Sequence, residues 1–454
     1  MRVHCLSASY LKKPTAATGG VLGVRILPSY PALPPSSRRP IHIGLVIDTS
    51  GSMEGERLTS VKRTLTVLLE RLSNGDKISL VSFATDATSI LDGVVLSDQT
   101  RAAATAEVAQ LHAYGGTNME AGITMLGQAA AAVAAATATA PLPLLPDAIV
   151  ILTDGHINHG LDTAAGLYSL LNSYLTGVPV YTLGYGVNHN ADLLRNIASR
   201  SSGTYTFIDN EIVLPAAIGD LLGSLQNEVG KGATLIYPTT WSCEEPDRQP
   251  AGRFTIGSLV AEKPNWVMLS VPPAAAAEAA TNGIDSMMEL QYFMNGHEYR
   301  DLIPIRDGLP LLEMEEQMLR CTTAKTLNAV SAAIRNHDIA RAAALLDAAL
   351  LAIANSPAVA GSLAIRMKAQ LDEMREMVEA EATGLGSNAG GVNSPALLHT
   401  SALAANYSSQ RGVTHGGRRA RGAPVSLFSS PGVVHESTAM SAQYSQQMGD
   451  PDSP

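Results

Sequence analysis

From Ile41 onward, near-continuous apolar runs alternate with segments whose apolar residues recur at helical spacing. "IHIGLVID" is a run of the kind buried on both faces of a parallel sheet. Leu58, Val61, Leu65, Leu68, Leu69 and Leu72 then keep a period near 3.6, and "NGD" at 74–76 ends that helix before the strand "KISLVSF". "SILDGVVL", "DAIVILTDG", "VPVYTLGYG" and "GTYTFID" read as further strands. Helices are expected from about Asp98 to His112, after "YGGTN", near 163–175 and near 191–200. Such alternation builds a parallel sheet with helices on both faces, so residues 41–228 are expected to form one doubly wound α/β domain.

The pattern differs on either side. Residues 1–40 read as a linker or an outlying edge strand, because 14–40 are rich in Pro and Ser around one β-like run, "VLGVRILP". Over 229–311 the runs "GATLIYPT", "GRFTIGSLV", "NWVMLSV", "SMMELQYFM" and "HEYRDLIPI" suggest a small, mainly antiparallel β-sandwich. Helical spacing returns over 312–383, in Ile339, Ala342, Leu345 and Leu346 and again in Leu363, Met367, Leu371, Met374 and Val378. Residues 384–454 are rich in Gly, Ser, Pro and Gln and are expected to be a largely disordered tail. That tail repeats itself loosely in "AANYSSQRG" and "SAQYSQQMG"; biased composition is the ordinary explanation, and a short docking element is the alternative.

Composition narrows the function classes. A chain of 454 residues exceeds what one core usually serves. A formal charge of −10 argues against a nucleic-acid binder, and Arg411, Arg418, Arg419 and Arg421 are too sparse to reverse that. No apolar run of 18 residues is present to span a bilayer, and the N-terminus lacks a signal-peptide core. Three widely spaced cysteines fit neither a disulfide framework nor a zinc site, which favours an intracellular, cytoplasmic setting.

The candidate chemistry lies in "DTSGS". Asp48, Ser50 and Ser52 follow a buried strand at alternate positions and can turn three hard oxygens to one point, with Gly51 and Gly55 easing the backbone path. Hard oxygens suit Mg²⁺ or Mn²⁺ rather than zinc. Thr117 in "GGTNM" and Asp154 at the end of "ILTDG" offer further oxygens, and ligands of open α/β sheets collect beyond the carboxyl ends of strands. A turn or helix cap is the plainer reading of "DTSGS" alone. His156 and His159 have no third partner for a zinc pair and read as a loop that shapes partner choice. Asp86 and Asp92 read as surface charges, and Cys321 as a core or interface thiol.

Residues 41–228 resemble a von Willebrand factor type A (VWA) domain with an intact metal-ion-dependent adhesion site: Asp-x-Ser-x-Ser, a Thr and an Asp stand at Asp48, Ser50, Ser52, Thr117 and Asp154. The resemblance implies a Rossmann-like six-stranded sheet of order 3-2-1-4-5-6 with the third strand antiparallel. It also implies that these five residues hold Mg²⁺ (or Mn²⁺) and leave one position for an Asp or Glu of a protein partner. Two carboxylates and three hydroxyls leave a dication strongly Lewis acidic, in keeping with that use. Residues 229–383 are similar, less specifically, to the segment that accompanies VWA domains in intracellular RING or U-box ligases and Hedgehog-intein-like chains, although no Cys/His ladder is present. The expected function is an intracellular Mg²⁺-dependent protein-interaction scaffold, without enzyme activity, nucleic-acid binding or a membrane span. A substrate-recruiting component related to VWA-containing ubiquitin ligases is the alternative. A metal-dependent hydrolase is the third reading, weakened by the lack of a G-x-S-x-G serine, a P-loop or an identifiable base.

Overall fold

Two strands open the chain, β1 (Cys5–Lys12) and β2 (Gly20–Leu27), before the α/β alternation begins. The structure is a computed structural model that describes residues 5–12, 19–28, 39–136, 145–186, 188–208, 211, 213–245, 250–273, 288–294, 296–305, 309–382, 395–408 and 431–448. Two compact units result, one built mainly from Leu33–Asn227 with Pro431–Pro454, the other from Met1–Ala32 with Glu228–Arg418.

The first unit is the doubly wound domain that the alternation predicts. Its strands are β3 (His42–Asp48), β4 (Lys77–Phe83), β5 (Ala87–Val95), β6 (Ala148–Thr153), β7 (Val180–Tyr185) and β8 (Tyr205–Ile208). They lie in the order β5-β4-β3-β6-β7-β8, parallel throughout except for the antiparallel β4–β5 pair. Helices α1 (Glu56–Arg71), α2 (Asp98–Gln110), α3 (Met119–Ala136), α4 (Ala164–Tyr174), α5 (Ala191–Arg200) and α6 (Val213–Gln226) flank the sheet. The strands β6 and β7 are buried at every residue, which is why their sequences are apolar without alternation. Chain order reverses at β3, with β4 on one side and β6 on the other, so the crevice beyond their carboxyl ends is the switch point of the sheet. The pairing of Ile47 with Leu152 sets Asp48 level with Thr153 on that rim.

The second unit is a sandwich and a helical layer. Strands β9 (Glu228–Ile236), β10 (Ser242–Cys243), β11 (Arg253–Val260), β12 (Asn265–Val271), β13 (Met288–Met294) and β14 (His297–Ile303) join β1 and β2 in two four-stranded sheets, β1-β2-β12-β10 and β11-β9-β13-β14. Leu22, Val24 and Ile26 from one sheet share a core with Leu235, Leu290 and Tyr292 from the other. Residues 1–40 therefore hold more than a linker or edge strand: β2 is paired on both sides, and its "VLGVRIL" alternation faces the sandwich core. A partner some 240 residues away gives no local signal. Four helices follow, α7 (Leu311–Arg335), α8 (Ile339–Ala354), α9 (Ser362–Ala382) and α10 (Pro395–Ser408), and share one core in which Leu363, Met367, Leu371, Met374 and Val378 are buried.

Two helices occupy the tail expected to be disordered. Helix α10 buries Ala396, Leu397, Leu403, Ala404 and Tyr407 in the helical core, and α11 (Pro431–Met448) packs on α6 and α1 of the first unit. Alanine and single tyrosines suffice for close helix packing, which an average over large apolar residues does not register. The echo "ANYSSQ" and "AQYSQQ" thus places one buried tyrosine in each helix, Tyr407 and Tyr444. Arg411, Arg418, Arg419 and Arg421 lie outside the described residues. In the second unit Arg320 of α7 is fully buried, donating twice to the Glu245 carboxylate at 2.8 Å, to the Tyr407 carbonyl at 3.0 Å and to Gln317 Oε1 at 2.9 Å. The buried guanidinium is thus paired with a carboxylate and donates to two further oxygens. Among the described residues no helix is long and apolar enough to cross a membrane.

Candidate metal centre

Three loops meet at the switch point. After β3 the backbone of "DTSGS" is held by Thr49, whose amide and hydroxyl both donate to the Phe83 carbonyl at 2.7 and 3.1 Å. The Gly51 amide donates to the Gly115 carbonyl at 3.1 Å, and the Tyr114 amide to the Thr49 carbonyl at 2.8 Å, which ties this loop to the one bearing Thr117. Gly115 adopts φ +63°, a conformation that favours glycine, and a Cβ there would stand 2.5 Å from the Thr85 hydroxyl. The third loop, after β6, docks through Asn158, whose side chain accepts from the Thr117 amide at 2.8 Å while its own amide donates to the Thr117 carbonyl at 3.2 Å.

The five sequence-predicted residues come together. Ser50 Oγ and Ser52 Oγ are 3.1 Å apart, and Ser52 Oγ donates to Asp154 Oδ1 at 2.6 Å. Asp48 accepts from the Ser50 amide at 2.8 Å and from the Thr153 hydroxyl at 2.5 Å. Thr117 is located by Gly155: a Cβ built there would lie 3.6 Å from both the Thr117 and the Ser52 hydroxyl oxygens. Glycine at 155 thus keeps open the small space on which the hydroxyls face.

Electrostatics favour a cation in this cluster. Asp48, Ser50, Thr117 and Asp154 are all nearly inaccessible to solvent. Burial lifts the Asp48 carboxyl to about 6, against the lowering effect of its bonds from Ser50 and Thr153, and the charge of Asp154 adds to the rise. A desolvated carboxylate beside a second one is an arrangement that a divalent ion stabilises, and an oxygen-only donor set suits a hard ion. The residues present fit the group that the sequence implies.

Three contributors were missed by sequence reasoning. Arg57, in the first turn of α1, pairs with Asp154 Oδ2 and donates to the Ser52 carbonyl at 3.2 Å. Its signal was available: a cation near the positive end of a helix is misplaced unless an acid waits for it. Thr153, on Asp48, could have been found as the strand residue level with it once the neighbours of β3 were known. Asn158 gave no signal. His156 is exposed, and His159 packs its ring where a Gly116 Cβ would stand, 2.6 Å from Cδ2. Beside Gly155 opens a pocket of about 180 Å³ lined by Met119, Ile157, Leu193, Asp162, Asn190 and His156, among others. Asp86 and Asp92 are exposed, and Cys321 is buried.

A family model described as the von Willebrand factor type A domain matches residues 41–207. This segment is a VWA domain. Over 174 residues the chain is 31% identical to the uncharacterized protein sll0103 of Synechocystis sp., covering 38% of this chain and 39% of that one. It is 31% identical over 167 residues to the uncharacterized protein YfbK of Escherichia coli, covering 36% and 28%. Bovine inter-alpha-trypsin inhibitor heavy chain H3 is 28% identical over 205 residues, 44% of this chain and 22% of that protein. The chain therefore spans about two fifths or less of the length of these curated relatives. A solved structure, a von Willebrand factor type A protein from Catenulispora acidiphila, shares the fold with a TM-score of 0.58 at 17% identity, covering 89% of this chain and 96% of that one. That likeness of fold reaches beyond the VWA domain into the rest of the chain.

Proposed function

We propose that the VWA domain is a protein-interaction module whose Asp48, Ser50, Ser52, Thr117 and Asp154 hold Mg²⁺ or Mn²⁺, and which takes up an Asp or Glu side chain of a protein partner at that ion. The observation that carries the reading is the Ser50–Ser52–Asp154 hydroxyl chain set against a buried Asp48 that has no cationic partner among the described residues. When bound, the ion supplies a Lewis-acidic coordination position. The chain orients the donors, excludes water from Asp48, and keeps the mouth open through Gly155.

Binding rather than catalysis is supported by how the hydroxyls are used: Ser52 donates to a carboxylate and Ser50 shares its proton with Ser52, with neither bonded to a histidine base. The intracellular setting belongs to the same reading and rests on the few, widely spaced cysteines of the sequence. Recruitment for a ubiquitin ligase rests on the likeness of residues 229–383 alone and is read out in the same experiment. Calorimetry of the full chain with Mg²⁺ is expected to show one site, lost in Thr117→Ala and in Asp48→Ala. A resin-bound chain is expected to capture partners in Mg²⁺ and release them in EDTA, with ubiquitin machinery among them if the ligase reading holds. Absence of Mg²⁺ and Mn²⁺ uptake overturns the proposal.

A further inference from the structure

Two helices of the VWA domain are buried where a surface helix would be wet. In α1 the core face is Leu58, Val61, Leu65 and Leu68, and the stripe beside it, Ser60, Thr64 and Val67, is also buried, at 2%, 1% and 0% exposure. In α6 every residue from Val213 to Leu225 is buried, the mark of a helix covered all round. The second cover is α11, which packs on both and buries Met440, Ser441 and Tyr444.

This contact reaches the metal centre through a short chain of groups. The Tyr444 hydroxyl donates to Ser60 Oγ at 3.1 Å, and Gln443 donates to Glu70 farther along α1. Ser60 also hydrogen-bonds the buried phenol of Tyr185, which lies within electrostatic reach of Tyr444 and Arg57. Arg57, one turn before Ser60, grips Asp154 and lies against Gly186, its Nη2 standing 3.7 Å from where a Cβ there would be. The interface itself is built to part. Among the described residues its large anchors are Met440 and Tyr444, and the hydroxyls of Thr64 on α1, Ser224 on α6 and Ser441 on α11 are buried there with no hydrogen-bond partner. Each of those hydroxyls regains water on separation.

We infer that α11 is a detachable ligand of its own VWA domain, and that its docking on α1 and α6 keeps Arg57 on Asp154 and thereby holds the metal site in a low-affinity state. This rests on the metal reading above. A guanidinium on Asp154 competes with a dication for the same carboxylate, so a device that steadies Arg57 weakens uptake of the ion, and by linkage the ion weakens docking of α11. Release of α11 frees the first turns of α1 and removes the competitor.

The test uses full-length chains. Met440→Glu sets a charge at a position with no solvent access and evicts the helix; Tyr444→Phe keeps the ring and deletes only the bond to Ser60. Hydrogen exchange should rise in α1 and α6 of Met440→Glu, and calorimetry should show Mg²⁺ bound tighter by about fivefold or more. Tyr444→Phe should shift affinity the same way by less. In Met440→Glu combined with Arg57→Gln the gain should vanish against Arg57→Gln alone, since the coupled partner is gone. Faster exchange in α1 and α6 with unchanged Mg²⁺ affinity in both single variants overturns the coupling alone. Failure of the unaltered chain to take up Mg²⁺ overturns the metal reading and the coupling together. Unchanged exchange in Met440→Glu overturns the docking.

Discussion

His189 provides a pH test of the domain that is independent of any metal. Its Nδ1 lies 2.7 Å from the Gly186 carbonyl, which can only accept, so Nδ1 donates and Nε2 is left to accept from the Tyr205 hydroxyl at 2.7 Å. The ring fills the space above Gly184, where a Cβ would meet Nε2 at 2.2 Å, and packs near Phe207 at 5.8 Å between centroids. Full burial pulls its pKa down from 6.5 to about 4, opposed by the Gly186 carbonyl and assisted by the charge of His156. The unfolded chain binds a proton below about 6.5 and the native chain only near 4, so stability falls as pH falls through that window. A shift of that size corresponds to about 3 kcal/mol, present in full above the unfolded pKa and mostly lost by pH 4. Tryptophan fluorescence cannot follow it, because Trp241 and Trp266 both lie in the second unit. Hydrogen exchange of β7 and β8 amides in EDTA, corrected for intrinsic rates, reports the right domain. Wild type and His189→Gln share every other titrating group, including Asp48, whose shift has the opposite sign. Their stability difference should therefore change by about 3 kcal/mol between pH 7 and pH 4. Parallel profiles for the two chains would refute the reasoning.

Gly184→Ala sets a methyl into the His189 ring and should cost about 1–3 kcal/mol, partly recovered when His189 is also shortened to Ala; thermal unfolding by circular dichroism measures both. Thr153→Val removes the hydroxyl that serves the buried Asp48 and should destabilise the metal-free domain by about 1–3 kcal/mol, read as exchange of β3 and β6 amides. Arg320→Met strands the Glu245 carboxylate and should cost about 3–5 kcal/mol by tryptophan-monitored urea unfolding, whereas Arg320→Met with Glu245→Leu should recover most of the loss. Saturating Mg²⁺ at about one hundred times its dissociation constant should stabilise the VWA domain by about 2.7 kcal/mol, with no response in Asp48→Ala.

The sheet and the five oxygen-bearing side chains were legible because each is announced locally. Buried parallel strands leave unbroken apolar runs, and "DTSGS", "GGTNM" and "ILTDG" each follow such a run or a tight glycine turn. What stayed hidden depends on pairing between distant segments. The run "VLGVRILP" looks isolated because β2 finds β12 only across the whole VWA domain, with Gly20 facing Val271. The apolar spacing of α1 marks Leu58, Val61, Leu65 and Leu68 but gives no sign that Ser60, Thr64 and Val67 beside them are buried too, where α11 packs on α1. The tail's composition suggested disorder because alanine, serine and a single tyrosine per helix carry little hydrophobic weight until a groove of matching shape is present.

Both units are therefore discontinuous in the chain, and this constrains how they can form. The sandwich needs β2 to meet β12 and β9 to meet β13, while Leu33–Asn227 intervene between β2 and β9. Closing a flexible loop of that length costs on the order of 5 kcal/mol by the logarithmic rule, before any strand pair compensates. A VWA domain that folds first replaces that loop with a folded body, so the inserted segment must be able to form its sheet without the sandwich. Its parallel strands β3, β4, β6, β7 and β8 are linked by helices inside the insert, which meets that requirement. Helix α11 does not belong to that first step, because it follows both the insert and the segment Glu228–Arg418 in the chain and adds to a sheet already complete. An element that joins a domain after its sheet is complete is also one that can leave without unfolding it, which is the physical basis for treating α11 as a ligand rather than as part of the core.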